Sequence, residues 1–462
     1  MKLFLKMVKW LLVVAALAVV SVAGWLYLAP PALIRVATGY SAKIVCSNVF
    51  VAGRQPDAVL KVDVQAPGHP ILKFISIETD KDKRLVRASL LGLFGRSTAV
   101  ARDGFGCALA PDGAVERAQF LPAAAPPAAT KPDALWPEGN RVEASQDPEI
   151  QKVLNDLKMT GPNMRAIVVI HNGRIIGERY ANGFSAETPL LGWSMTKTVT
   201  AAIIGTLIKD GRLSLDKKDL FQPWLADSRK GISLADLMGM SSGLEFNEDY
   251  GDVTDVTRML YLEPDMAGFV ETKPLTGEIG KTWSYSSGTT TLLSRIWQDS
   301  LDEPGKALTW PRTALFDPVG MTSAVLETDE NGTFVGSSYL YATARDWARF
   351  GQLLLQDGVW NGEAILPSGF VAWMREQVPA SNGEYGKGQL WLRGSDAGTP
   401  AGVDPDIGYT LPEDTFWMLG HDGQSIAIIP SKNLVIVRLG LTPYKLGYKA
   451  QGLVEAFTKL FE

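Results

Sequence analysis

The chain is poor in the residues that most often build metal and redox centres: its 462 residues include two cysteines, Cys46 and Cys107, and three histidines, His69, His171 and His421. These five form no Cys/His cluster, so neither a zinc site nor any other metal site is expected. His171 adjoins Asn172-Gly173 and reads as a turn residue rather than a catalyst. A long basic run is also missing, and the formal net charge is −5. That argues against nucleic acid as a partner, because phosphates demand a clustered Lys/Arg surface. Internal repeats at solenoid or propeller periods are absent, which excludes those architectures. What remains is a chain long enough to bury a sizeable core in two or three domains.

One long hydrophobic run stands out. Lys2, Lys6 and Lys9 precede an uncharged stretch from Trp10 through Leu28, close to the roughly 20 residues a helix needs to cross a hydrocarbon core. The lysines put its start in the cytoplasm and the rest of the chain on the outer side of the cytoplasmic membrane. An uncleaved single-pass anchor over residues 1–29 is the favoured reading. A cleaved signal is the alternative, because Ser21-Val22-Ala23 resembles a processing site. In an oxidising compartment Cys46 and Cys107 are expected to pair, contributing roughly 4 kcal/mol in the chain-entropy model; two buried thiols are the other reading.

Residues 30–120 read as a small strand-rich accessory module: Ala58 to Val64 alternates, Ile71 to Ile77 is apolar, Asp80-Lys81-Asp82-Lys83 is a turn, and Leu85 to Leu93 follows. Packing or spacing is its expected task. Residues 121–147, opening with the Pro/Ala-rich stretch Leu121 to Pro132, read as a linker. From 148 to 462 the pattern is α/β. It begins with a short helix over Pro148 to Lys158 and a hairpin turning at Asn172-Gly173. Mostly helical material follows to about Leu355, then strands at Phe416 to Leu419, Ser425 to Ile429 and Leu434 to Leu439, and a closing amphipathic helix over Tyr448 to Leu460. One antiparallel sheet is thus expected to be built from both ends of this domain, flanked by helices.

Gly192-Trp193-Ser194-Met195-Thr196-Lys197-Thr198 runs into the apolar segment Val199 to Ile208, whose periodicity predicts a buried helix starting near Ser194. Ser194 and Lys197 then share one face, a turn apart, so the amine can reach the hydroxyl. The helix N-terminus also favours a developing negative charge. Alone, Ser-x-x-Lys is weak: Ser214-Leu215-Asp216-Lys217 has the same spacing on no apolar helix, and Ser194 could be a plain N-cap. A lysine base needs its pKa lowered by about three units, on the order of 4 kcal/mol, or a tyrosine to relay the proton. Thr282-Trp283-Ser284-Tyr285-Ser286-Ser287-Gly288 offers that tyrosine, although by itself it reads as a helix-capping turn.

Taken in order, Ser194-x-x-Lys197, Tyr285-x-Ser287 and His421-Asp422-Gly423 resemble the motifs of the serine β-lactamase and penicillin-binding-protein superfamily. The similarity runs from about Pro148 to the C-terminus and points to the class C-related branch of esterases, D-amino peptidases and 6-aminohexanoate-oligomer hydrolases. Ile232 to Leu244, Tyr341 to Phe350 and Gly420 to Gln424 support it. The resemblance implies a β-lactamase-like fold with a mostly helical insertion and no cofactor. It assigns the acylated nucleophile to Ser194, the proton-accepting lysine to Lys197 and shared acid/base duty to Tyr285. It places the oxyanion hole at the backbone N–H groups of Ser194 and Gln424, a feature worth about 10²- to 10³-fold in rate per donor. Gly423 is retained, which lets a substrate backbone approach. Ser287 replaces the usual asparagine and His421 the usual lysine. Both changes weaken the case for β-lactams and suit esters or small linear amides.

Three other readings compete. A D-amino peptidase or β-lactamase-type activity on cell-wall peptides keeps the same machinery, and a non-catalytic cell-wall-peptide binding domain keeps the same fold. An α/β-hydrolase triad using His421 fits the chain order, but Thr196 stands where the nucleophile elbow needs glycine. Glu245, Glu248, Asp249 and Asp252 read either as a solvated acidic loop or as a field at the site mouth that disfavours substrate carboxylates.

Overall fold

The computed structural model describes residues 1–119, 124, 126–128, 131 and 133–461, so most of the Pro/Ala-rich stretch lies outside the described residues. Helix α1, Lys2–Leu28, is 27 residues long and therefore about 40 Å from end to end. Its apolar side chains, from Leu3 and Trp10 to Tyr27 and Leu28, are exposed. By length and composition this helix can serve as a membrane span or as a signal sequence.

Residues expected to be strand-like begin instead with a second helix, α2, Ala32–Phe50, which is buried over most of its circumference. The stretch that alternates at Ala58 to Val64 is helical too, lying within the turns from Pro56 to Gln65. Only then come β1 (Ile75–Asp80), β2 (Leu85–Leu90), β3 (Phe94–Arg102) and β4 (Gly106–Ala110), a four-stranded antiparallel meander. Helix α2 lies between this meander and the helix Asp255–Leu262 of the larger domain, with Tyr40 edge-on to Tyr261 at 5.7 Å. Cys46 on α2 is disulfide-bonded to Cys107 on β4, their Cα atoms 6.1 Å apart. On the same side, Lys43 of α2 pairs with the buried Glu327, which also accepts from Ser47 Oγ at 2.8 Å and from the Cys107 backbone at 2.6 Å. Gly106 is required there, because its φ is +58° and a Cβ would collide with the Glu327 carboxylate.

From residue 133 the chain is docked against the larger domain. Trp136 is buried, and Arg349 Nη2 donates to the Gly139 carbonyl. The larger domain opens with α3 (Pro148–Asn155) and the hairpin β5 (Met164–His171) and β6 (Arg174–Tyr180), turning at Asn172 and Gly173, both at positive φ. Next come the helices α4 (Met195–Lys209), α5 (Ser287–Asp299) and α6 (Ala344–Leu355). The short strands β7 (Tyr385–Gly386) and β8 (Leu390–Trp391) precede β9 (Phe416–Gly420), β10 (Gln424–Ile429), β11 (Leu434–Gly440) and the closing helix α7 (Gln451–Leu460).

These strands form one antiparallel seven-stranded sheet in the order β7-β8-β9-β10-β11-β5-β6, so segments from both ends of the domain meet at the β11–β5 pairing. Strand periodicity divides the side chains between two faces. Ala166, Val168, Ile170, Val435 and Val437 join Trp347, Phe350 and α4 in the main core, while Ile167, Val169, Leu434 and Ile436 pack with Ile150 and Leu154 of α3 and Leu453 and Phe457 of α7. Both faces are covered, which is why β5, β10 and β11 read as nearly continuous apolar runs.

Candidate active site

Helix α4 is buried along almost its whole length, as an all-round apolar helix must be. It presents its N-terminus beside the edge where β9 turns into β10. Gly420 makes that approach possible, since a Cβ there would strike the Gly192 carbonyl. Trp193, the residue before the helix, is held at φ +49°, an uncommon conformation for a bulky residue and one that sets the direction in which Ser194 leaves the turn. Ser194 occupies the N-cap position but makes no side-chain capping bond. Its hydroxyl faces Lys197 instead.

Lys197 is 1% exposed. Its Nζ donates to Ser194 Oγ at 3.1 Å, to Ser287 Oγ at 3.0 Å and to the Ser337 carbonyl at 3.0 Å, which uses all three ammonium hydrogens. Burial lowers its pKa from the ordinary lysine value to about 8, against an opposing pull from the Glu248 carboxylate. The Tyr285 ring lies 4.7 Å from Nζ. Burial pushes the Tyr285 phenol well above its ordinary value, Glu248 adds to that, and hydrogen bonding with Ser194 works the other way.

Of the remaining residues expected at a site, His421, Gly423 and Gln424 line the same cavity as Ser194 and Tyr285, a space of about 560 Å³. The His421 ring packs edge-on to Trp193 at 5.5 Å and stacked on Tyr250 at 5.7 Å, in the manner of a wall. Asp422 and Gly423 are at positive φ, which turns the chain tightly between β9 and β10. The Gln424 side chain points away from substrate space. Its Nε2 donates to the carbonyls of His421 and Gly440, and its Oε1 accepts from the Gly440 backbone, so it fixes the turn that positions its own backbone N–H. Ser287, at the first turn of α5, is fully buried. Trp283, Trp391, Tyr250 and Trp193 complete an aromatic lining suited to an aliphatic chain.

The acidic loop divides. Glu245, Asp249 and Asp252 are exposed, whereas Glu248 lines the cavity and accepts from the Ser287 backbone at 2.7 Å and from Ser287 Oγ. From sequence Glu248 reads as part of a solvated acidic loop or of a loop at the site mouth, and nothing joins it to Ser287. Nothing local distinguishes it from its acidic neighbours.

The Beta-lactamase family model matches residues 162–451, more than half of the chain. The 6-aminohexanoate-dimer hydrolase of Paenarthrobacter ureafaciens is 25% identical over 304 residues, covering 60% of this chain and 72% of that protein. Among solved structures, a candidate 6-aminohexanoate-dimer hydrolase from Bacillus anthracis aligns over 79% of this chain and 90% of its own, at 24% identity and a TM-score of 0.55. A penicillin-binding protein from Bacillus halodurans aligns over 68% and 100%, at 15% identity and a TM-score of 0.50. With its antiparallel sheet, its helix carrying Ser194 and Lys197, and a family match spanning residues 162–451, the chain belongs to the β-lactamase family, within the serine β-lactamase and penicillin-binding-protein superfamily.

Proposed function

We propose that this protein is a serine hydrolase that cleaves esters or small linear amides through an acyl-enzyme. The observation that carries the reading is the buried Lys197 amine at 3.1 Å from Ser194 Oγ. Once deprotonated, Nζ can accept the hydroxyl proton along that same line while Oγ attacks the substrate carbonyl. Burial makes this possible near neutral pH, because it brings the lysine to about 8. Tyr285, held protonated by its surroundings, acts as the proton donor to the leaving group rather than as a second base. The backbone N–H groups of Ser194 and Gln424 receive the oxyanion. The aromatic lining favours an aliphatic acyl or amine portion, and similarity to a 6-aminohexanoate-dimer hydrolase supports linear amides within the substrate class.

Purified protein assayed with p-nitrophenyl esters and with 6-aminohexanoate dimer tests this. Lys197→Ala should lower kcat by about 10²- to 10⁴-fold with the fold intact by circular dichroism. Ser194→Ala should abolish labelling by a fluorophosphonate probe. His421→Ala should retain most of the turnover, since histidine is a wall residue and not the base. Near-normal turnover of Lys197→Ala, or label on another serine, would refute the assignment.

A further inference from the structure

Ser287 and Glu248 do more than the proposed chemistry uses. Ser287 Oγ sits between two groups that carry opposite charge when ionised. It accepts from Lys197 Nζ at 3.0 Å and donates to Glu248, whose other oxygen is held by the Ser287 backbone N–H at 2.7 Å at the start of α5. The resemblance expects asparagine here. An amide can bridge a donor and an acceptor but cannot pass a proton, whereas a hydroxyl can accept one proton while releasing another. Glu248 is brought in from a loop 39 residues away, and burial raises the pKa of its carboxyl, so the protonated form is accessible to it.

We propose that Ser287 and Glu248 form a proton relay behind Lys197, with Glu248 as the temporary store for the proton removed from Ser194. This deepens the proposed hydrolase mechanism and rests on Lys197 being the base. In the forward step the Ser194 O–H bond breaks, its proton moves to Lys197 Nζ, and Oγ forms a bond to the carbonyl carbon. A proton then leaves Nζ for Ser287 Oγ as the Ser287 hydroxyl proton moves to Glu248 Oε1. Lys197 is left neutral and Glu248 neutral, so no ammonium persists in the desolvated pocket. On collapse of the tetrahedral species the Tyr285 O–H bond breaks as its proton passes to the leaving oxygen or nitrogen, and the proton returning from Glu248 through Ser287 and Lys197 re-forms the phenol. The bonds broken and formed in the relay cancel, and no co-reactant is needed. The groups facing Glu248 are Lys197 from α4, Ser287 and Tyr285 from the α5 entry, Tyr250 from its own loop and Tyr385 from β7.

Glu248 also holds Lys197 above the value burial alone would set, which supplies a readout that a merely structural role would not move. The test is a set of pH profiles for ester hydrolysis by the full chain and its Glu248→Gln, Ser287→Ala, Ser287→Thr and Lys197→Ala variants, with folding checked by thermal melting. Glu248→Gln should lower kcat by about tenfold or more with little change in KM, and should move the acidic limb of kcat/KM down by about half a pH unit or more, because a neutral amide no longer favours the ammonium. Ser287→Ala should lower kcat comparably, and combining it with Glu248→Gln should cost little more, as for links in one chain. Ser287→Thr, which keeps the hydroxyl, should recover most of the rate. Wild-type kcat and an unmoved limb in Glu248→Gln, or independent multiplication of the two losses, would overturn the relay. Either result alongside an inactive Lys197→Ala would leave the Lys197 assignment standing.

Discussion

At the scale of single residues, the proposed chemistry turns on an amine that the fold holds out of water. Lys197 is brought to about 8 by burial, so the neutral amine needed as a base is the minor form at pH 7 and the major form above pH 8. Accordingly kcat/KM should climb with pH through about 8 and then level, provided Lys197 is the base; a profile flat from pH 6 to 9 would speak against it. The same shift has a thermodynamic side. Below pH 8 lysine is charged in both folded and unfolded states and the full desolvation cost is present. Between about 8 and the ordinary lysine value of 10.5 the unfolded chain binds the extra proton, so stability rises with pH across that window. A Lys197→Met variant should therefore hold a stability advantage at pH 7 that shrinks by up to about 3 kcal/mol by pH 10.5, measured by denaturant unfolding. This one residue was legible from sequence because Ser-x-x-Lys on an apolar helix is a local pattern. Glu248 was not, since in sequence it is one of four acids in a polar loop, and its meeting with Ser287 is a tertiary event.

Among the elements, α2 shows why local pattern can mislead. Its sequence mixes Thr38, Ser41, Lys43 and Ser47 with apolar residues, and no polar stripe emerges because nearly every side is buried. The polar groups are satisfied inside: Thr38 and Ser41 donate to carbonyls one turn back, at Ile34 and Ala37, and Lys43 meets Glu327 from a segment 284 residues on. Helix α4 and the strands β5, β10 and β11 were easier, because each centres on a nearly continuous apolar run whose length separates the helix from the strands. The Lys43–Glu327 pair fastens α2 and β4 to the larger domain, and its removal should be felt across that junction. Glu327→Ala would leave a buried ammonium unpaired and strand Ser47 Oγ and the Cys107 N–H, so a loss of about 3–5 kcal/mol is expected in chemical denaturation. A loss below about 1 kcal/mol would show that the junction does not depend on this carboxylate.

For the molecule as a whole, the arrangement we propose is a hydrolase body held at the outer face of a membrane. Lys2, Lys6 and Lys9 lie in the opening turns of the exposed apolar helix α1, ahead of its uncharged stretch, and they favour retention of that end in the cytoplasm. In that arrangement translocation would deliver everything from Pro30 onward to the other side. The Cys46–Cys107 bond fits such a compartment, since thiols in a reducing cytosol remain open. Helix α1 packs little of its own surface against the body, so the tether and the folded part are separable in function: the site lies on α4, α5 and the β9–β10 turn, far along the chain from α1. Protease added to spheroplasts expressing the full chain should degrade the body while leaving cytoplasmic marker proteins intact, and ester hydrolysis should be measurable with a substrate that does not cross the membrane. Full protection of the body in intact spheroplasts, with degradation after lysis, would place the domain in the cytoplasm and remove the compartment that the disulfide requires. Release of an active body into the medium, beginning near Gly24, would identify the helix as a cleaved signal instead.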